Sequence, residues 1–393
     1  MPMAFNPLHE DNDAFVRDLT ALRAEIEASL EPADFAHLRK IERWGRGCTL
    51  LGHATAWLAP NPLSALLLAR GVTTRWTVVM HHVAHGGYDR VPGVPARYTS
   101  RGFAVGRRRL LDWLDWIVPE AWRYEHNTLH HARTGELADP DLVEENTTWL
   151  RRSRLPLWVK YAAIAFYACT WKLTYYAPNT FQLWSASKQG RQADSALIRG
   201  VRYAAAFDPR SVSGRAFWKA CVLPYALLRF VLVPSLFLVL GPWAFFSVLA
   251  NLLAAELLAN VESFFLITPN HAGEDLYRFE SRAAGRARFC VRQVVGCANY
   301  TTGGDFNDFL HGWLNYHIEH HLWPDLPLRK YQQFQPRVQA LCERHGIPYV
   351  QESLPRRARK LMDIIMGRAS MRPLRSEVPP GAPDAASTVQ RIT

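Results

Sequence analysis

The sequence predicts an all-α integral membrane protein: four transmembrane helices in two hairpins, carrying a helical, His-rich domain on the cytoplasmic side. Three observations lead there. Two stretches are apolar enough for membrane hairpins, most of the 15 His fall in clusters at helical spacing, and Arg is concentrated in segments that share a side with those clusters. The composition agrees. A chain of 393 residues, 49% of them hydrophobic, can build a large core, and 12% aromatic content excludes general disorder. The six Cys are scattered with no Cys-x-x-Cys pair, which reads as reduced thiols rather than a disulfide scaffold. The net charge of +11, borne mainly by Arg, admits nucleic acid, an anionic membrane or an acidic protein as partner.

No cationic stretch followed by a short apolar run opens the chain, so no secretory signal is expected. Residues 1–43 form an N-terminal segment whose Phe15, Leu19, Leu22, Ile26 and Leu30 recur at helical spacing and stop at Glu31-Pro32. A first hairpin follows, with spans at 44–60 and 62–82 turning at Pro60-Asn61-Pro62. Each arm is near the lower limit for crossing a bilayer, and the second holds Arg70 and Arg75. Leu155–Ala177 is aromatic and apolar but contains Lys160 and Lys172, a pattern that suits a helix lying in the membrane interface. Ala220–Ile267 is the strongest stretch, and Gly241-Pro242 divides it into spans at 220–240 and 242–267. Arg229, Glu256 and Glu262 inside it are expected to face protein rather than lipid. The alternative is a buried hairpin of a soluble protein. The membrane domain is placed at 44–366, and residues 367–393, with Pro-Pro-Gly-Ala-Pro and no periodicity, are expected to be disordered.

The His clusters carry the chemistry. They are His81-His82-Val83-Ala84-His85, His126-Asn127-Thr128-Leu129-His130-His131 and His317-Ile318-Glu319-His320-His321. Spacings of three and four place imidazoles on one helix face a turn apart, so each cluster offers two or three nitrogens to a metal. Imidazole suits iron, copper, zinc or nickel. No His-Glu-x-x-His of a zinc protease is present, and no Cys lies near the clusters to make a structural zinc site. Soluble di-iron bundles use Glu with Glu-x-x-His, whereas this set is nearly all His. Eight or more imidazoles exceed one metal's needs, which leaves a His-rich dinuclear centre. His82, Glu125, Asp141, Asn315 and Glu319 are candidates to support the ligands, the carboxylates by accepting the far N–H of a ligating imidazole. His9, His37, His53 and His345 have no such partners and read as surface or core groups.

These clusters resemble the histidine boxes of the membrane fatty acid desaturase and hydroxylase superfamily. Met80-His81-x-x-x-His85-Gly86-x-Tyr88 resembles the first box. Trp122 with His126-Asn127-x-Leu129-His130-His131 and Asp139-Pro140-Asp141 resembles the second and its acidic sequel. Leu314-Asn315-Tyr316-His317-Ile318-Glu319-His320-His321-Leu322-Trp323-Pro324 resembles the third, especially in acyl-lipid and front-end desaturases. His271, in Thr268-Pro269-Asn270-His271, stands where the resemblance requires one further ligand. The resemblance implies a cytoplasmic di-iron domain with His81, His85, His126, His130, His131, His271, His317, His320 and His321 as ligands, and O2 as co-substrate. His82 and His317 depart from the front-end pattern, which usually carries Asp and Gln there, and Ile267 stands where some relatives place a water-bridging Asn.

Topology gives an independent check, since all boxes must lie on one side of the membrane. Two hairpins satisfy this, and a span at Leu155–Ala177 would not. Arg within 106–109, 151–154, 278–292 and 355–358 gives that side a positive excess, pointing to the cytoplasm, here of a bacterial inner membrane. The expected function is desaturation of a fatty acyl chain held as an acyl-lipid or acyl thioester. No catalytic side chain beyond the ligands is expected, and no substrate-binding residue can be assigned. With no fused haem domain in the sequence, electrons are expected from a separate ferredoxin or cytochrome b5-type donor with its reductase, drawn to the Arg-rich face. Hydroxylation on the same scaffold is the near alternative, and a His-rich membrane metal-binding protein the remote one. Nucleic-acid binding is not supported, for want of a recognisable fold.

Overall fold

Helix α1 (Asp13–Ala28) buries Phe15, Leu19, Leu22 and Ile26, the stripe expected from its spacing. A computed structural model describes residues 12–194, 197–198, 200 and 203–374; His9 and most of the expected disordered tail lie outside the described residues. Helix α2 (Pro32–Ala56) starts with Pro at its first turn and a reciprocal cap between Glu31 and Asp34. It runs without interruption through position 44. The turn at Pro60-Asn61-Pro62 reverses the chain into α3 (Pro62–Thr73), whose N-cap Asn61 accepts from the Ser64 N–H at 2.8 Å. The hairpin packs very closely: a Cβ on Gly71 would meet Thr49 Oγ1 at 2.0 Å. Beyond α3 the helix widens over Thr74–Met80 into a π-helical stretch and closes as a turn at His81–Ala84.

Two helices are long and apolar enough to cross a membrane, Val212–Leu240 (α7) and Pro242–His271. They meet at Gly241, whose φ of +100° is available to glycine at little cost, and Pro242 starts the second helix. We call α8 the regular part, Pro242–Ile267. The described residues are mostly helical, and the first expected hairpin exists as a pair of packed helices without reaching that apolar length. The reason is its content of charge: α2 carries Arg39, Lys40, Glu42, Arg43 and Arg46, which leave only its last ten residues uncharged, and Arg70 and Arg75 interrupt the return arm. Inside α8, the expected inward turn of the acidic groups is observed. Glu256 accepts from Trp116 Nε1 at 2.7 Å and from the Tyr225 hydroxyl at 2.9 Å, and Glu262 accepts from Thr73 Oγ1 at 2.6 Å and pairs with Arg70. Asn251 of α8 staples the first hairpin's turn, accepting from the Asn61 N–H at 2.9 Å and donating to the Ala56 and Ala59 carbonyls.

Between the hairpins, residues Pro119–Trp122 (α4) run through a second π-helical stretch, Arg123–His130, into His131–Arg133. Helix α5 (Leu157–Trp171) continues through Lys172–Tyr176 into α6 (Ala177–Lys188) and packs against α8. Its lysines do not behave as interfacial lysines. Lys160 and Lys172 are both buried, and Lys172 Nζ lies 2.8 Å from Asp115 Oδ2 and 4.6 Å from the Trp76 ring. A carboxylate and an aromatic face take the place that water would have had. Asn260 Oδ1 of α8 accepts the Lys172 backbone N–H at 2.7 Å, tying the two helices together.

The C-terminal part brings the last boxes home. Helix α9 (Gly285–Val295) and α10 (His317–Leu322) precede α11 (Leu328–Arg344) and α12 (Leu354–Ile365). Two small parallel ladders pin them: β1 (Tyr277–Phe279) with β4 (Arg372–Leu374), and β2 (Asn299–Tyr300) with β3 (Gln351–Glu352). Met371 and the strand β4 are therefore ordered, against the expectation of disorder from 367; the backbone groups of β4 find a partner edge and Met371 is buried. The N-terminal helix clasps the segment after the third box. Asp325 takes Arg23 at 2.7 Å and Arg90 at 2.8 Å, and Glu27 holds the same two guanidinium groups. Asp34 and Lys330, both buried, form a further pair at 3.3 Å.

Several Arg that sequence reading counts as surface charge are structural. Arg357 is fully buried, forked onto Asp275 at 2.8 and 2.9 Å and donating to the Pro269 and Ala272 carbonyls. Arg292 pairs with Glu136, and Arg151 is spent on Glu144 and the Ile364 and Ala369 carbonyls. Charge counts do not distinguish paired from free cations. The buried Lys172–Asp115 pair gives a test. Lys172→Met, which strands the carboxylate, is expected to cost about 3–5 kcal/mol in denaturant unfolding in detergent. Lys172→Met with Asp115→Leu should recover most of it, and equal loss in both variants would show that the pair is not what holds α5.

Candidate metal centre

The widened turns decide where each imidazole goes. In an α-helix, residues four apart share a face, and His81 and His85 do so. In the second box the π-helical geometry brings residues five apart together: His126 Nε2 and His131 Nε2 lie 3.3 Å apart, while the His130 ring stacks on that of His126, 5.1 Å between centres. In α10, His317 and His321 share one face and His320 is offset from it. The result is two groups. His81, His85, His126, His131 and His320 offer nitrogens that all lie within 4.8 Å of one another, and so do His271, His317 and His321 together with the Cys297 thiol. His130 sits against the second group, its ring 4.7 Å from that of His271 and 5.1 Å from that of His321.

The spacing fits metal ions. A metal–nitrogen bond of about 2.0–2.1 Å with ligands roughly 90–110° apart puts neighbouring nitrogens about 2.9–3.4 Å apart. His81 Nε2 is 2.9 Å from His320 Nε2 and 3.2 Å from His126 Nε2. In the second group the His271 and His317 Nε2 atoms stand 2.6 Å apart, closer than two ligands of one ion would sit. Other buried imidazole nitrogens, among them His85 Nε2 and His321 Nε2, have no hydrogen-bond partner. Unpaired buried nitrogens are costly unless something takes their lone pairs.

Electrostatics favour the ligand form. Burial, reinforced by neighbouring imidazoles, holds His85, His126, His131, His317, His320 and His321 well below the ordinary imidazole range, hence neutral at neutral pH. His130 is the exception: burial pulls it down, but the Asp139 carboxylate, 2.9 Å from its Nδ1, more than reverses this. Burial pushes Asp139 up in turn, and His130 with the N–H groups of Asp141 and Gly135 brings it below its usual value. Asp139 thus fixes the ring and leaves Nε2 free to bind.

The expected supporting residues fare unequally. Asp141 lies beside His126 and His130, and the carboxylate that bonds a box imidazole is Asp139, two residues earlier in the acidic sequel. Glu125 is buried against the Tyr176 hydroxyl at 3.3 Å, and burial with the nearby Asp141 and Asp139 raises it well above the carboxylate range. Glu319 turns away from the imidazoles: it accepts from Asn299 Nδ2 at 2.8 Å and the Tyr349 hydroxyl at 2.7 Å, and burial pushes it up to about 7. Two residues past His317, it falls on the opposite face of α10. Asn315 likewise donates to Asp308 Oδ1 at 2.6 Å, and His82 is directed to the Val78 carbonyl at 3.1 Å. Sequence reading missed Gln293, whose Oε1 is 3.0 Å from His321 Nδ1; Thr134, 3.2 Å from the same atom; and Cys297, whose sulfur is 3.7 Å from His271 Nδ1. None lies in a box, so spacing gave no signal. The lone His behave as read: His37 and His345 bond Asp305 at 3.0 Å and Asp18 at 2.9 Å, and His53 stacks on Phe237.

A cavity of about 440 Å3 adjoins the centre. His81, His126, His130, His271 and His317 form part of its wall, and Trp76, Trp122, Trp171, Tyr176 and Phe264 much of the rest. Residues 55–353 match the family described as fatty acid desaturase, which is about three quarters of the chain.

The chain belongs to the fatty acid desaturase family.

It is similar to the NADPH-dependent stearoyl-CoA 9-desaturase of Mycobacterium tuberculosis, at 25% identity over 355 residues, covering 86% of this chain and 75% of that protein. It is also similar to the chloroplastic acyl-lipid (7-3)-desaturase of Chlamydomonas reinhardtii, at 26% over 350 residues, 85% of this chain and 62% of that one. A shorter likeness, 31% over 99 residues, covers 25% of this chain and 18% of an acyl-lipid (9-3)-desaturase of Physcomitrium patens. The desaturase is accordingly an oxidoreductase, and its His groups fit the metal that such chemistry uses.

Two outcomes follow for the desaturase centre. Asp139→Asn is expected to weaken metal binding about 10–100-fold in chelator competition, with the fold retained; unchanged affinity would leave Asp139 a structural carboxylate. Most of these imidazoles already lack a competing proton at neutral pH, so metal retention should change little from about pH 7.5 to about 6.5. A steep loss across that interval, measured by metal analysis after buffer exchange, would mean that these nitrogens titrate like exposed ones.

Proposed function

We propose that the chain is a membrane-bound, O2-dependent di-iron desaturase that introduces a C=C bond into a fatty acyl chain lying in the cavity. One iron would be held by His81, His85, His126, His131 and His320, and the other by His130, His271, His317 and His321. The observation that carries the reading is the joining of two imidazole groups to one largely apolar cavity through shared wall residues. Bound iron supplies O2 activation and the removal of hydrogen from an unactivated carbon. The balance is –CH2–CH2– + O2 + 2e− + 2H+ → –CH=CH– + 2H2O.

The protein's own part is placement and exclusion of water. Trp76, Trp122 and Tyr176 give a dry, rigid wall that presses a chain against the imidazole side. Four spans, at 44–60, 62–82, 220–240 and 242–267, with the centre on the cytoplasmic side of a bacterial inner membrane, are part of this proposal. So is a separate electron donor of ferredoxin or cytochrome b5 type. Arg107 and Arg356 are exposed and available to such a donor, whereas Arg108 is forked onto Asp112, Arg109 donates to the Ala220 carbonyl and Arg357 is buried.

Expression in a host followed by lipid mass spectrometry tests the reaction. An acyl chain lighter by two hydrogens is expected; a chain heavier by one oxygen would make the protein a hydroxylase. Metal analysis should give two irons per chain, and one stoichiometric zinc with turnover surviving iron chelation would overturn the assignment. His271→Ala is expected to abolish turnover as completely as His320→Ala, while His345→Ala leaves it largely intact. Near-normal turnover in the first variant would remove His271 from the centre.

A further inference from the structure

Helix α9 carries no histidine box, yet it and the residues after it touch all three stretches that supply the second group of imidazoles. Gln293 reaches the second box, and the Ala298 N–H donates at 2.9 Å to the carbonyl of Asn270, the neighbour of His271. Asn299 Oδ1 accepts the Ile318 N–H, in the first turn of α10, at 2.8 Å. Arg292 fastens the helix to the segment after the second box: it pairs with Glu136 at 3.3 Å and lies 4.4 Å over the Phe279 ring.

Gln293, next to that anchor, is buried and holds two partners at once. Its Nε2 is 3.2 Å from the His131 carbonyl oxygen, and its Oε1 is 3.0 Å from His321 Nδ1. An amide can be placed either way round, and only its surroundings decide. Here a backbone carbonyl decides, because it accepts and never donates. With the amide reversed, two oxygens would face each other at His131. The Gln293 oxygen therefore stands at His321 Nδ1 as an acceptor.

The second neighbour of that nitrogen agrees. Thr134 Oγ1, 3.2 Å away, gives its one hydrogen to the His130 carbonyl at 3.0 Å, which leaves its lone pairs for Nδ1. Two acceptors face one nitrogen. In the neutral ring Nδ1 then carries the hydrogen and Nε2 keeps the lone pair. A metal needs that lone pair, and a ring held in the other tautomer would have to exchange its hydrogen before binding.

Resting on the two-iron reading, we propose that Gln293 is a positioning residue for the second group: it carries the direction of the His131 carbonyl across to His321 and holds that imidazole as its Nδ1–H tautomer, with Nε2 left to the metal. The backbone of a ligand in one group thereby sets the protonation site on a ligand of the other.

Two substitutions at this one position separate the role from packing. Gln293→Glu keeps an acceptor at His321 Nδ1, whereas Gln293→Met keeps the volume and loses the acceptor. The full-length variants, stripped of metal in detergent, are titrated anaerobically with iron(II) against a competing chelator, and bound iron is counted per chain. Gln293→Met is expected to weaken one of two ions about 10–100-fold, and Gln293→Glu to hold both close to the unsubstituted protein. A packing role predicts the opposite order, since Glu brings a charge into a buried site and Met does not. Unchanged affinity in Gln293→Met, or a loss in Gln293→Glu as large or larger, would overturn the proposal and leave the two-iron reading standing. Thr134→Val removes the other acceptor and keeps the shape, so it should weaken the same ion by a smaller factor. It carries the test where Gln293→Met does not fold, and unchanged affinity there would overturn the tautomer. An unsubstituted chain that takes up a single iron would overturn the two-iron reading, and the proposal with it.

Discussion

Everything in this molecule is subordinate to bringing nine imidazoles into a dry space from four separate stretches of chain. Each ring must be stripped of water and aimed, and all but His130 are also denied a proton. His271 ends a helix apolar enough to cross a membrane and the first box ends the shorter helix packed against it, so the two hairpins fix the positions at which both arrive. The second and third boxes come from shorter segments, and these are held by hydrogen bonds and small ladders rather than by length. The π-helical stretches before and within the first two boxes are part of the same solution. They alter the angular step between residues, so that one segment can serve both groups of nitrogens.

The polar groups around the centre show how such a cluster tolerates burial. Asp139 gives His130 a fixed orientation, Gln293 and Thr134 do so for His321, and Cys297 flanks His271. Most of the support is uncharged. In a low-dielectric site a neutral amide or hydroxyl orients a ring without adding a charge that must then be balanced. The buried acids that do lie close are either paired, as Asp139 is, or pushed toward their protonated form, as Glu125 and Glu319 are.

Much of this was legible in the sequence because it is written in local spacing. The boxes, the amphipathic stripe of α1, the Pro-Asn-Pro turn and the Gly-Pro break are all short-range signals, and each of these four is found. What escaped reading depends on partners remote in sequence. Nothing local distinguishes Arg357, buried on Asp275, from a free surface Arg, or Lys172, buried on Asp115, from an interfacial Lys. Glu319 sits inside a box yet points away, because a two-residue offset on a helix reverses the direction of a side chain. The cavity could not be read at all, since its wall is assembled from the π-helical stretch after α3, from α4, α5 and α8, and from the segments around them.

The clasp between α1 and the segment after the third box has a bearing on biogenesis. Asp325, which receives Arg23 and Arg90, emerges from the ribosome some 300 residues after its first partner, and His317, His320 and His321 emerge just before it. Until then the N-terminal helix has no acidic anchor on that side, and the imidazole groups lack their third-box members. On the ligand set proposed above, the site is therefore complete only near the end of synthesis, and a chain cut before His317 lacks three of the nine imidazoles.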